Sequence, residues 1–391
     1  MGGMFPYIRH LLGTDPSPAL QAAIKAIGLA SMSNTRMSAE LMRAARQEYS
    51  TALLATNRAL QDRIQFKSDS TLAAVMLLSM YETITCRSPD LMGRWMSHVQ
   101  GATKLIEMRG AQQLQTPTGL QLFSQIRIQI TLGHIFYKQY APPVVVQLSK
   151  EAAAHRDSGL EKIEDFFDIL VQVSNLSAEI RANASRGSSF GNPAPFIQKA
   201  LQLDIALVSW ATSINPACPY TTVSALYTKK HDYDYRSVYG ESYHVYPNVE
   251  IASLWNNYRL TRIIIHEIIG SIYVRLLKPG GPPEDRLMAL RSIAISRQMA
   301  EDICSSVPYH FNSGDVAIGS AFRLIWPLYV ASDCVGSAPT MKQWIVRTLE
   351  KIGQATGVQQ ALTMSQLVKR ETELQWLSRE LDKMEGNIES V

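Results

Sequence analysis

The sequence predicts an all-α fold: a large, irregular multi-helix single domain carrying a long tyrosine-rich loop. Three observations predict it. Apolar residues recur at helical spacing over nearly the whole chain. Between turn residues there is no alternation of four or more β-branched or aromatic residues, apart from a short possibility near Tyr243 to Tyr246. Hydrophobic residues make up 46% of the 391 and charged residues only 18%, which excludes a disordered chain.

Residues 1–14 read as an N-terminal segment and 15–391 as one helical domain. Ser17 can cap a first helix with Pro18 at its first position, running to about Ser31. Ser38 opens a second, to about Ile64, with Leu41, Ala45, Ala52, Leu53, Leu60 and Ile64 largely on one side. Ser70 is expected to cap a third, Thr71 to about Thr85, apolar nearly all round and therefore central and buried. A fourth runs from about Leu91 to Met108 and stops at Gly110, and a fifth from about Thr118 to Gln139 before Pro142-Pro143. Further helices are expected at about Val145–His155, Leu160–Asn183, Pro195–Ile214, Asn248–Leu277, Glu284–Ser305, Val316–Val335, Met341–Thr356 and Met364–Met384.

Two stretches are not helical. Arg186 to Pro195 reads as a mobile surface loop. Residues 215–247 are longer than a compact domain usually tolerates without a function. They hold seven of the sixteen tyrosines: Tyr220, Tyr227, Tyr233, Tyr235, Tyr239, Tyr243 and Tyr246. Such a loop is expected to lie against the helical body. Leu367, Leu374 and Leu381 form a short heptad seam, broken by Arg370, that suits a packed final helix better than a coiled-coil dimer.

Composition narrows the function classes. The formal charge of +4 is too weak over this length to announce a nucleic-acid binder. Four scattered cysteines, Cys86, Cys218, Cys304 and Cys334, have neither zinc-ligand spacing nor the density of a secreted disulfide scaffold. The opening MGGMFPYIRH lacks an apolar signal region. The longest clean apolar stretch, Leu72 to Tyr81, is half the roughly 20 residues of a membrane span. A soluble intracellular chain with reduced thiols, no cofactor and no membrane association is expected.

Catalytic motifs are missing. His266-Glu267 opens like a zinc-protease helix, but Gly270 stands where the second histidine belongs. No phosphate-binding loop and no nucleophile elbow occur. His231, Asp232, Tyr233, Asp234 and Tyr235, with His244 downstream, could ligate a metal or move protons, but their spacing fits a polar loop better. Trp95, His98 and Arg109, with Trp255, Arg259 and Arg262, lie on apolar helices. Either these are buried groups satisfied locally, with Glu82 and Glu107 as candidate partners, or they line a ligand pocket in which arginine meets an anion and aromatic rings meet a flat group. The candidate ligand-binding set is Tyr233, Tyr235, Tyr243, His244, Trp255, Arg259, Trp95, His98 and Arg109.

Four strings then occur in order: Leu72-Ala73-Ala74-Val75-Met76-Leu77-Leu78-Ser79-Met80-Tyr81-Glu82; Trp95 and His98 with Gly101-Ala102, Leu105-Ile106 and Arg109-Gly110; Ser253 to Arg259 with Arg262-Ile263-Ile264; and Trp326 to Ala331 with Trp344-Ile345. In this order and spacing, over roughly residues 15 to 370, the chain resembles the fungal-specific transcription factor domain. That is the helical regulatory region of binuclear zinc cluster regulators. Such regulators usually begin with six zinc-binding cysteines, whereas here the first cysteine is Cys86 and no run of Lys and Arg occurs. The resemblance implies a transcription-factor-like regulatory protein of fungal metabolism, secondary metabolism included, in the nucleus or cytoplasm. It would act through protein partners, a small-molecule effector or a homodimer, with no direct sequence-specific DNA binding by these residues. The alternative is an enzyme or small-molecule binder built on the same helices and acting on an apolar metabolite.

Overall fold

The computed structural model describes residues 7–87, 91–153, 161–185, 192–227, 238–277, 282–312, 318–334 and 337–370. Its helices are α1 (Tyr7–Thr14), α2 (Pro18–Arg36), α3 (Ala39–Gln61), α4 (Asp69–Thr85), α5 (Leu91–Arg109), α6 (Pro117–Phe136), α7 (Pro143–Ala153), α8 (Glu161–Ser185) and α9 (Ala194–Ile214). After a hairpin of β1 (Thr221–Ser224) and β2 (Ser242–Val245) come α10 (Val249–Leu276), α11 (Pro283–Asn312), α12 (Ile318–Asp333) and α13 (Pro339–Thr356). A last helix, α14, starts at 359 and is described to 370. The all-α class holds, and the hairpin is the one sheet among the described residues.

Side-chain oxygens start many of these helices. Ser17, Ser38, Ser68, Thr116 and Asn248 each accept from the backbone N–H three residues on, satisfying donors that a helix start leaves open. Proline follows in the first turn of α2, α6 and α13, where its missing N–H costs nothing. The α4 cap differs from the sequence expectation. Ser68, not Ser70, caps it, because the Ser70 hydroxyl donates to the backbone carbonyl of Asp15. Helix α4 thereby gains Asp69 in its first turn, where a carboxylate suits the positive helix end.

One continuous cluster of buried apolar side chains runs from Tyr7 in α1 to Met364 in α14. Helix α4 is sealed on nearly all sides, as its sequence requires. Residues 7–14, read from sequence as a segment apart from the helical domain, form a helix on α4 and α6. There Tyr7 and Leu11 are buried and the Tyr7 hydroxyl lies 3.0 Å from Gln125 Oε1. The second half is organised by α10, which packs on α9, α11 and α12. Helix α11 also departs from expectation, continuing past Ser305 and through Pro308 to Asn312. An internal proline costs a helix roughly 3 kcal/mol, but Val307 and His310 on this last stretch are buried in the core, and that burial offsets it.

Gly357 joins the two ends of the chain. It closes α13 at φ 73°, its carbonyl accepts from Asn34 Nδ2 at 2.7 Å, and an added Cβ would lie 2.5 Å from the Ser31 carbonyl oxygen. Gly357→Ala should cost about 2–3 kcal/mol, from left-handed strain plus a clash with backbone. Denaturant unfolding tests this: a loss below about 0.5 kcal/mol would mean the α2–α13 junction yields freely.

Candidate functional site

The tyrosine-rich stretch is not a loop throughout. β1 and β2 pair antiparallel, with Thr222 opposite His244 and Val223 opposite Tyr243. Neighbouring strand side chains point to opposite faces, yet Tyr243 and His244 are both buried, so both faces of β2 are covered. The strand packs on α11, and the chain passes from it through Tyr246 to the Asn248 cap of α10. This places the hairpin over the first turns of α10.

Arg259 is the centre of what lies there, at 1% exposure. Its Nη1 donates to Tyr246 Oη at 2.7 Å and to Asn256 Oδ1 at 3.0 Å, while Nη2 faces His244 Nδ1 at 3.1 Å. Its guanidinium stands 5.1 Å from the Tyr220 ring centroid. An arginine can only donate, so Nδ1 of His244 is the bare, accepting nitrogen. Burial, and then the Arg259 charge, push the His244 pKa down to about 3. Burial pushes Tyr246 up to about 12. Both partners are therefore neutral at physiological pH. Asn256 Nδ2 donates on to Ser306 Oγ at 2.9 Å, which ties α10 to α11. Among the described residues no carboxylate forms an ion pair with Arg259; the acid that acts on it is Asp302, from a distance.

Aromatic rings wall this polar core. Trp255 donates from Nε1 to the Cys218 carbonyl at 2.9 Å and meets Tyr220 edge-on at 5.0 Å. Behind it, Trp210 lies 6.2 Å from Trp255 and stacks on Phe166 at 4.6 Å. Tyr309 meets Tyr246 edge-on at 5.3 Å. Of the sequence candidates, the structure thus gathers His244, Trp255 and Arg259, with Tyr243 on the same strand.

Arg109 belongs elsewhere. It donates to the Ser68 carbonyl at 2.8 Å and pairs with Asp69 at 2.5 Å, binding the end of α5 to the start of α4. Neither carboxylate suggested by the sequence is its partner: Glu82 accepts from Tyr49 and Glu107 pairs with Lys104. Trp95 and His98 lie on α5, but their side chains are outside the described residues, as are Tyr233, Tyr235 and the whole His231 to Tyr235 run. The expected loop at 186–191 and the heptad seam beyond 370 also lie outside them.

Tyr220, Tyr246, Asn256, Ser306, Tyr309 and His310 were missing from the sequence-based site. Two of them carried a weak signal as members of the tyrosine-rich stretch. Ser306 and His310 carried none, because only the packing of α11 on α10 brings them in.

A second polar network deserves comparison with an enzyme site. Asp204 on α9 receives Arg262 Nε at 2.6 Å and faces His266 Nε2 at 3.2 Å, and His266 Nδ1 lies 3.4 Å from Ser292 Oγ. Burial alone would raise the Asp204 pKa, but His266 and Arg262 outweigh it and hold it at about 2. The order acid, histidine, serine is that of a nucleophile relay, but Ser292 is 2% exposed and His266 4%, so no substrate reaches either. The Asp204–Arg262 ion pair ties α9 to α10, and the contact of His266 with Ser292 joins α10 to α11. Among the described residues no group of three or more His, Cys, Asp or Glu is placed to hold a metal ion. No described helix is long and apolar enough to cross a membrane.

Residues 8–132 match the family model of the fungal specific transcription factor domain. The match runs over α1 to most of α6, about a third of the chain's length. The match takes in the first two of the four strings; the strings beginning at Ser253 and Trp326 lie beyond it, as does the Arg259 cluster. No curated protein and no solved structure matches the chain. The domain supports a transcription-regulator-like role.

Proposed function

We propose that this chain is the effector part of a nuclear fungal transcription regulator of metabolism, working through protein partners or a small molecule and not through base contacts of its own. The match to the fungal specific transcription factor domain carries this reading. Four cysteines in 391 residues cannot supply a six-cysteine zinc cluster, and a formal charge of +4 is weak over this length, so the reading assigns no base contacts to these residues. The reading assigns its effector half to the buried polar cluster under the hairpin, outside the matched segment.

Deleting the gene should change the transcripts of a defined gene set, and the chain fused to an unrelated DNA-binding domain should move a reporter. Unchanged transcripts together with an accumulated metabolite would sink the regulatory reading and favour an enzyme on the same helices.

A further inference from the structure

Helix α11 buries one side and leaves an apolar stripe on the other. Ala289, Ser292, Ser296, Met299 and Ala300 point into the body. Opposite them stand Leu287 at 64% exposure, Leu290 at 55% and the exposed Ala294, spaced as one outer stripe of a helix. Exposed arginines border the stripe: Arg286, Arg291 and Arg297. Arg286 and Arg291 form no ion pair among the described residues. Such a face is not complementary to itself, because a second copy laid on it would set arginine against arginine. It suits a helix whose apolar side is flanked by acids.

The chain contains that sequence. Residues 371–391 hold six acids and two bases, whereas the 370 before them hold 28 acids and 36 bases. Leu374, Leu377, Leu381, Met384 and Ile388 recur at heptad spacing, which sets them on one side of a helix. Glu373 and Glu380 fall on one flank of that side and Glu385 on the other.

The path of the chain points this segment along α11. Helix α13 runs in the same direction as α11. Near its start Trp344 meets Tyr239, whose hydroxyl feels Glu301 and Cys304, and further on Lys351 stands 4.9 Å from the Phe311 ring. Helix α14 then turns back, with Leu362 against Gly353 and Lys369 paired with Glu350 at 2.6 Å. At Lys369 the chain is level with the last turn of α11 and heads toward its start. Roughly twenty further residues of helix cover about 30 Å, which reaches the level of Leu290.

We propose that residues 371–388 dock as a helix antiparallel to α11 on its outer stripe. Leu381, Met384 and Ile388 meet Leu287, Leu290 and Ala294, and the flanking acids face Arg286, Arg291 and Arg297. The surface thus takes an acidic amphipathic helix, and this chain supplies it. Docking is a property of the purified chain and stands independently of the regulatory reading.

Hydrogen exchange on the purified full chain tests this. Amides of residues 377–388 should exchange about tenfold or more slowly than in the free peptide of the same sequence. Leu287→Asp with Leu290→Asp should return them to free-peptide rates, and Arg286→Glu with Arg291→Glu should lower their protection. All four side chains are exposed, so the rest of the chain should exchange as before. Ile205→Asp, at an equally exposed apolar position on α9, should leave the segment protected. Free-peptide exchange of 377–388 in the wild type overturns the proposal. So does protection that survives either pair of substitutions. So does protection that rises with protein concentration as the chain dimerises in light scattering, which would assign the heptad seam to a second copy.

Discussion

Trp255→Ala is expected to lower stability by about 3–5 kcal/mol, the range for truncating a large buried aromatic. Three terms add up. The indole is 5% exposed and touches Tyr220, Trp210 and Tyr258, so truncation leaves a void between the hairpin, α9 and α10. It removes the donor to the Cys218 carbonyl, which anchors the chain entering β1. It also withdraws the wall behind Tyr220, whose ring lies 5.1 Å from the Arg259 guanidinium. Denaturant unfolding with an unchanged slope checks the magnitude, and hydrogen exchange should show 221–245 opening before the helices. Leu226→Ala, on a side chain 83% exposed beside the same hairpin, is the control and should change stability by less than about 0.5 kcal/mol. A similar small effect for Trp255→Ala would mean the hairpin is not seated on α10 as described.

The second large effect is on the acid side. Burial, reinforced by Arg259 for both and also by Arg323 for His310, keeps His244 and His310 neutral down to about 3. In the unfolded chain each protonates near 6.5. Between those values the unfolded state holds a proton that the folded state refuses, so stability is complete above about 6.5 and falls as pH drops. Each histidine contributes roughly 1.4 kcal/mol per pH unit, or about 2 kcal/mol by pH 5.

Glu267 works the other way. Burial first, then Asp333, raise its carboxyl from 4.5 to about 7, so the folded state holds the extra proton and acidification through that window stabilises. The variants separate these contributions. Measured without ligand, His310→Leu should fall less steeply than the wild type between pH 6.5 and 5, by about 1.4 kcal/mol per unit, and Glu267→Gln more steeply by a similar amount. Parallel curves for His310→Leu and wild type would show that this histidine is not held neutral in the fold.

Much of the fold was legible because its signals are local. Ser17, Ser38 and Asn248 sit at helix starts that need only a short side-chain oxygen and the next few amides. Helix α4 was legible as a buried helix because its apolar residues leave no polar face. Where a local signal had two readings, a distant partner chose. Ser68 and Ser70 are equivalent caps by type, and the Asp15 carbonyl takes Ser70 out of contention. For Arg109 the sequence offered Glu82 or Glu107 as partner, or a bound ligand, yet Asp69, forty residues away in the chain, sits where α4 begins and takes it. The helix expected to end at about Ser305 continues through Pro308, carried onward by the core to Tyr309 and His310.

The candidate site shows the same division. The sequence by itself determined that the chain is helical, that it resembles the regulatory domain later matched at residues 8–132, and that its tyrosine-rich stretch is not solvent filler. It also singled out His244, Trp255 and Arg259 among the candidate ligand-binding residues. Only the tertiary structure decided that these three meet, that Arg109 does not join them, and that His310 is buried near them with no hydrogen-bond partner among the described residues. The reason is physical. Caps and helical periods are set by neighbours within about one turn, whereas the polar core depends on which faces of α10, α11 and α12 close over one another. Burial then closes Arg259 off from water and, with its charge, keeps two ordinary histidines neutral at physiological pH.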